Sequence, residues 1–274
     1  MNQTVHQSTT AGTRWDPSQY LRFGDHRLRP ALELLARIPH SDPKHVFDLG
    51  CGAGNVTRQI AERWPHATVY GIDNSDEMLK KASAEPSGIA WSLGDVRDWR
   101  PDVSPDVLYS NAALQWVDNH EDLFPRLVSM LPSGGCLAVQ MPLSWDSPSH
   151  QLMHQTLKDA GPNGAALGDT VVHKSLERRW VQSAAYYYAL LAAHGADPID
   201  VWETEYLQVL TGDDAVLEWV KATGLRPVLN ALNDEERERY LGVYAARLRE
   251  AYPKEANGCT LYPFRRLFMV AIKA

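Results

Sequence analysis

The chain has 274 residues, 44% hydrophobic and 22% charged, the balance of an ordinary globular protein long enough for one large α/β domain with insertions. Its net charge of −7, with no run of Lys and Arg, argues against a nucleic-acid backbone as main partner, and no apolar run nears the roughly 18 residues of a membrane span. Cys51, Cys136 and Cys259 lie far apart, which makes neither a disulfide framework nor a zinc ligand set.

The N-terminal MNQTVHQSTTAGTR is polar and lacks the apolar stretch of a signal peptide, so residues 1–14 read as a disordered tail and the chain as cytoplasmic. WDPSQYLRFGDHRLRPALELLARIP follows with a helical pattern, opened by Asp16 as N-cap and Pro17, and broken or restarted at Pro30. HVFDLG is a short buried strand. NVTRQIAERWP carries apolar residues at helical spacing and stops before Pro65. ATVYGID is a second strand, and SDEMLKKASAE a helix opened by Ser75 with acids in its first turn. IAWSLGD is a third strand, DVLYSNAALQW begins as a fourth, NHEDLFPRLVSMLPSGG is a helix with a Gly stop despite Pro125, and CLAVQMP is a fifth strand. This alternation predicts a parallel sheet with helices on both faces. After Pro142 the pattern changes. Residues 143–197 read mostly helical, PIDVWETEYLQVL returns to strand, two helical stretches occupy about 211–255, and RRLFMVAIKA closes the chain as a strand.

The Gly-rich DLGCGAGN at residues 48–55 follows the first strand. A phosphate-binding loop needs Lys-Ser/Thr after its last glycine, and Asn55-Val56-Thr57 stands there instead. A dinucleotide fingerprint spaces its glycines G-x-G-x-x-G, whereas Gly50, Gly52 and Gly54 are spaced G-x-G-x-G. Asp48 would repel a pyrophosphate but attract an ammonium, directly or through water. S-adenosylmethionine (SAM) has that ammonium and no phosphate. Asp73, about 20 residues on, ends the second strand where an acid takes ribose hydroxyls. Asp95 ends the third, suited to an adenine amino group, and Asn111 ends the fourth, beside the expected sulfonium.

DLGCGAGN, GIDNSDEML, LGDVRDW and SNAALQWV, in order at strand ends over about residues 45–118, resemble the class I SAM-dependent methyltransferases. The resemblance implies a Rossmann-like α/β fold: a seven-stranded, mostly parallel sheet with the last strand antiparallel, flanked by helices, with the helical insertions as a lid over the active site. It implies a single domain over 15–274 with a SAM-binding core at about 40–142. It places the cofactor on Asp48, Gly50, Cys51, Gly52, Gly54 and Asn55 of the loop, on Asp73, Asn74 and Met78 after the second strand, on Asp95 and Val96 after the third, and on Asn111 and Trp116 after the fourth. Further segments, among them YYYALLAAHGADPIDVWETEY, WVKATGLRPVLNAL and the terminal RRLFMVAIK, resemble the trans-aconitate 2-methyltransferase family over nearly the whole chain, residues 143–185 least well. That resemblance implies methyl transfer to one carboxylate of a small polycarboxylic acid, giving a monomethyl ester. Transfer to another small-molecule oxygen, nitrogen or carbon is the alternative.

A carboxylate, with an ordinary pKa of about 4, is already ionised at neutral pH, so no general base and no catalytic residue in that sense is expected. Positioning, worth on the order of 7–11 kcal/mol, and exclusion of water then carry the reaction. Arginines suit the non-reacting carboxylates, and weaker donors suit the reacting one. The candidates are Arg22, Arg27, Arg29, Arg226, Arg265 and Arg266, with Arg29 and Arg226 favoured because each precedes a proline. Trp15, Tyr20 and Phe23 are candidates for a lid, or for packing of the first helix. Trp116 and Gln140 are candidates for the acceptor pocket. Tyr186, Tyr187 and Tyr188, consecutive on a helix, cannot all face one way and fit core packing better. His150 and His154 have i,i+4 metal spacing, but no Glu joins them in an H-E-x-x-H pattern, and no metal is expected.

Overall fold

The computed structural model describes residues 28–177, 179–221 and 224–274. The tail, the helix from Asp16, and the candidates Trp15, Tyr20, Arg22, Phe23 and Arg27 lie outside the described residues. The first described helix, α1 (Arg29–Arg37), starts with Pro30 in its first turn, where proline's fixed φ fits and its missing N–H costs nothing.

Five strands and three helices then alternate: β1 (His45–Leu49), α2 (Asn55–Arg63), β2 (Thr68–Asp73), α3 (Asp76–Ala82), β3 (Ala90–Leu93), β4 (Val107–Asn111), α4 (His120–Met130) and β5 (Cys136–Pro142). Ser75 caps α3 by accepting from the Met78 N–H. With the long β6 (Ala196–Leu210) and β7 (Thr260–Lys273) they form one seven-stranded sheet of order β3-β2-β1-β4-β5-β7-β6. β1 to β5 pair in parallel, and β7 runs antiparallel to both β5 and β6. The expected strand count, parallel core and antiparallel last strand are all present.

Strand alternation assigns the two faces. Val107, Tyr109, Cys136 and Ala138 join Leu34 and Leu35 of α1 and Ile60 of α2 in one buried cluster. Leu108, Leu137 and Val139 join Leu123, Phe124 and Leu127 of α4 and Tyr187 and Leu191 of α7 (Ala184–Ala193) in another. Each fully buried Leu contributes about 1.5–3 kcal/mol, so both faces hold the sheet.

A third core lies at the far ends of β6 and β7, with Tyr262 of β7 as a member. α5 (Pro148–Asp159), α6 (Thr170–Glu177), α8 (Ala215–Lys221), α9 (Arg226–Ala231) and α10 (Asp234–Ala251) bury Met153, Leu157, Val172, Val220, Val228, Tyr240 and Tyr244 together. The two stretches read as separate insertions thus build one cap, in which α5 packs on α10. The first stretch divides, because α7 packs on the sheet rather than in the cap. α9 is a third helix where the sequence pattern shows two. Arg247 of α10 bonds both carboxylate oxygens of Asp159 on α5, at 2.8 and 2.9 Å. α10 opens with a reciprocal capping box of Asn233 and Glu236, and its three leading acids complement the helix dipole.

Candidate active site

The β1–α2 loop turns sharply after Leu49. Gly50 has φ +78°, and a Cβ there would stand 2.2 Å from the Ala113 Cβ. Glycine thus lets the β4 turn press onto the loop. Gly52 has φ +55° and, among the described residues, nothing within 4 Å of its missing Cβ. Its N–H donates to Asp73 Oδ2 at 2.8 Å, while Asp73 Oδ1 accepts from the Ser75 N–H at 2.9 Å. Two backbone donors therefore fix the Asp73 carboxylate at the lip of the cleft, and each of its oxygens keeps a lone pair for a ligand hydroxyl.

This cleft, about 410 Å³, is lined by Gly50, Gly52, Asp73, Asn74, Met78, Asp95, Val96 and Trp116, with Arg97 and Ala112 among their neighbours. Eight of the expected cofactor residues meet there. The other five lie outside its lining. Asp48 is 2% exposed and sits beneath the loop, accepting from the Thr57 hydroxyl at 2.7 Å. Burial, with a smaller push from Asp73 and against the Thr57 bond, raises its carboxyl to about 7. Cys51 is buried, and desolvation with the nearby acids raises its thiol far above the usual range. Gly54 packs under the Trp91 ring, and Asn55 is exposed at the start of α2. Asn111 lines neither cavity, and its Oδ1 is buried without a partner among the described residues. Asp95 is gripped by Arg97, whose Nε donates to Oδ1 at 2.9 Å. That bond, together with the Arg97 charge, holds the Asp95 carboxyl down at about 2.

The β4 end makes the junction with a second cavity. Ala112 takes φ +53°, a left-handed conformation that is rare for a non-glycine residue and concentrated at functional sites. A 3-10 turn over Leu114–Trp116 follows. His120 of α4 pins this turn, because the Leu114 carbonyl 3.0 Å from its Nε2 can only accept. Nε2 therefore carries the proton and Nδ1 accepts from the Tyr187 hydroxyl at 2.6 Å. Burial lowers the His120 pKa and keeps the ring neutral at pH 7. Of the three consecutive tyrosines, Tyr187 is buried and Tyr188 is 54% exposed.

Ala112 and Trp116 line both the first cleft and the second cavity, of about 500 Å³. Its other walls are Gln115, Ser144, Trp145, His150, Tyr262 and Phe264, with Arg226 and Arg266. Two arginines and a histidine face this space, and no Asp or Glu lines it among the described residues. Arg29 is elsewhere: its Nε pairs with Glu33 at 2.8 Å and its guanidinium stands over the Tyr206 ring. Arg265 pairs with Glu203. Gln140 lies one layer behind the cavity and accepts from Arg266 Nη1 at 3.0 Å. Arg266, which the proline argument passed over, is the buried cation. A signal for it exists in the strand alternation: Tyr262, Phe264, Arg266, Phe268 and Val270 share one face of β7, and a lone charge interrupts that apolar row.

His150 and His154 do not act together. His154 turns to Glu177 at 3.8 Å, while His150 lines the cavity. The Ser147 hydroxyl donates to the Ser144 carbonyl at 2.6 Å, so toward His150 Nδ1, 3.2 Å away, Ser147 Oγ accepts. The ring proton is therefore on Nδ1, and Nε2 presents a lone pair to Ser144 Oγ at 3.3 Å. Burial pushes this histidine down to about 4. It is neutral at pH 7 and a weak base. Next to it, Ser149 is held by three tyrosines: Tyr252 accepts from its N–H at 3.1 Å, Tyr244 donates to its carbonyl at 2.8 Å, and the Tyr262 hydroxyl lies 3.2 Å from its Oγ.

A methyltransferase domain model matches residues 46–135. The chain is 44% identical to the trans-aconitate 2-methyltransferase of Pseudomonas aeruginosa over 94% of each chain. It is 48% identical to that of Streptomyces avermitilis over 94% of this chain and 97% of the relative. Among solved structures, phosphoethanolamine N-methyltransferase 2 from Haemonchus contortus superposes with a TM-score of 0.53 at 16% identity, over 97% of this chain and 58% of that one. The YcgJ protein from Bacillus subtilis superposes with a TM-score of 0.54 at 14% identity, over 88% and 96%. Both likenesses concern the fold alone. Over nearly its full length, with the glycine loop, the strand-end acids and the sheet order in place, the chain belongs to the trans-aconitate 2-methyltransferase family of class I SAM-dependent methyltransferases.

Proposed function

We propose that this chain transfers a methyl group from SAM to one carboxylate of a small polycarboxylic acid such as trans-aconitate, yielding a monomethyl ester and S-adenosylhomocysteine. The observation that carries the reading is the pair of cavities joined at Ala112 and Trp116, one edged by acids, the other cationic and free of acids among the described residues. SAM fits the first: the space above Gly52 is open, Asp73 is fixed at its edge, and the acids suit a cationic ligand. When bound it supplies an electrophilic methyl on a positively charged sulfur.

The protein's part is to hold, orient and dry the acceptor. A carboxylate is ionised at neutral pH and needs no base. His150, neutral with its pKa near 4, is poorly matched to proton abstraction, which favours a carboxylate over a hydroxyl acceptor. A cation gripping the attacking oxygen would lower its nucleophilicity, so Arg226 and Arg266 serve the non-reacting carboxylates. Trp116, Trp145 and Phe264 exclude water from the reacting one. The test is incubation with SAM and a panel of organic acids, followed by detection of base-labile methyl esters. Ester formation from trans-aconitate supports the reading. Methylation confined to alcohols or amines refutes it and moves His150 to the role of base.

A further inference from the structure

Arg266 is 9% exposed, yet no carboxylate pairs with it among the described residues. Burial lowers its pKa to about 10. Its only hydrogen bond among the described residues is the one from Nη1 to Gln140 Oε1, and its guanidinium stands 4.7 Å from the centre of the Phe264 ring. Because a guanidinium only donates, the Gln140 atom it meets is the oxygen, and the Gln140 amide nitrogen is the free end. That nitrogen and Arg266 Nε are both buried without partners among the described residues. A buried cation without a counterion is costly to a fold. The unmet groups of this pair are all N–H donors, and Arg266 itself lines a cavity that has no acid in its walls among the described residues.

We propose that Arg266, oriented by Gln140, is the receptor for a carboxylate of the acceptor remote from the methylated one, and that it sets the preference for polycarboxylic over monocarboxylic acids. The inference rests on the carboxyl-methyltransferase reading and names the residue that selects within it. Gln140 holds the Nη1 corner of the fork, leaving Nη2 for a bound carboxylate. Phe264 supports the ring-facing side. The pair is on β5 and β7, where Pro142 and Arg266 are register partners, so the anchor stands on the sheet and not on the cap. Arg226, exposed on α9, lines the same cavity from the cap.

The experiment compares wild type with Arg266→Met, Arg266→Lys and Gln140→Leu, each saturated with S-adenosylhomocysteine. Calorimetry reads binding of trans-aconitate and of crotonate, a monocarboxylate, and thermal unfolding of the ligand-free proteins reads stability. Arg266→Met should lose on the order of 10- to 100-fold in trans-aconitate affinity, collapse the tricarboxylate-over-monocarboxylate ratio, keep its S-adenosylhomocysteine affinity, and unfold at or above the wild-type temperature. Arg266→Lys should recover part of the affinity, since it restores the charge without the fork, and Gln140→Leu should fall between the two. Unchanged trans-aconitate affinity in Arg266→Met overturns the proposal. So does a joint loss of stability and of both ligands, which marks a structural arginine. Esterification of trans-aconitate with an unchanged KM in Arg266→Met sinks the anchor alone. Tricarboxylate binding that depends on Arg266 without ester formation sinks only the activity.

Discussion

Replacing Gly52 by alanine separates the loop's fold from its ligand. At φ +55° an L-residue costs roughly 1–2 kcal/mol relative to glycine, which for a chain of this size lowers the melting temperature by about 2–8 °C. The added methyl meets no atom of the described residues within 4 Å, so no steric penalty from them joins that figure. It projects into the space assigned to SAM, beside the N–H that binds Asp73. Overfilling a packed contact by one methyl costs about 1–3 kcal/mol, roughly 5- to 150-fold in affinity. Gly50→Ala is the control. Its methyl would overlap Ala113 at 2.2 Å, so it should lose more stability than Gly52→Ala and displace the β4 turn. The assays are scanning fluorimetry for both variants and calorimetric titration with S-adenosylhomocysteine. A folded Gly52→Ala that binds within twofold of wild type would show that the cofactor does not lie over this residue. A larger stability loss at Gly52 than at Gly50 would refute the packing argument.

Three further changes probe other levels of the molecule. Asp73→Ala removes the acceptor for the Gly52 and Ser75 N–H groups and should weaken cofactor binding far more than Arg226→Ala, which should mainly raise the acceptor KM; the reverse pattern, read by calorimetry and steady-state kinetics, contradicts the site assignment. Asp48 holds a proton in the fold up to about pH 7, against an ordinary 3.8. Its contribution to stability is therefore complete below about pH 4 and lost as pH rises through 7. Asp48→Asn should flatten that part of the urea-midpoint profile, and an equally steep fall in the variant excludes Asp48 as its source. Tyr244→Phe deletes the bond to the Ser149 carbonyl inside the cap and should cost about 1 kcal/mol in denaturant titration; a neutral result would mean that the tyrosines around Ser149 contribute packing alone.

The parallel core was legible because its signals are local. Alternating apolar runs, a Ser cap at Ser75 and a glycine loop after β1 each follow from a few neighbouring residues. The acids proposed for the cofactor were legible as positions for the same reason, since Asp73 ends β2 and Asp95 closely follows β3. The acceptor site was not, because its walls meet through pairings distant in sequence. Arg265 and Arg266 are adjacent, yet the two-residue period of a strand sends one to Glu203 and the other to Gln140. Which goes where depends on the register of β7 against β5. The proline beside Arg29 marks a helix start correctly, but says nothing about whether the side chain faces a cavity. The six-residue α9 is too short to show a period, and the joining of α5 to α10 depends on contacts some 90 residues apart, such as Tyr244 with Ser149.

The two cavities divide the chain between them. Among the described residues, every one lining the cleft assigned to SAM falls between Leu49 and Val117, within the span that the general methyltransferase domain matches. Apart from the shared β4 turn, the described walls of the cavity assigned to the acceptor come from Pro142 onward. Among the described residues, the walls proposed for methyl donor and acceptor are thus written in consecutive, almost non-overlapping text, joined at Ala112 and Trp116. Such an arrangement lets one half be exchanged while the other is kept. A chimera joined in β5, retaining this chain's first half and taking the remainder from a relative with another acceptor, should keep its affinity for the donor and inherit the new acceptor.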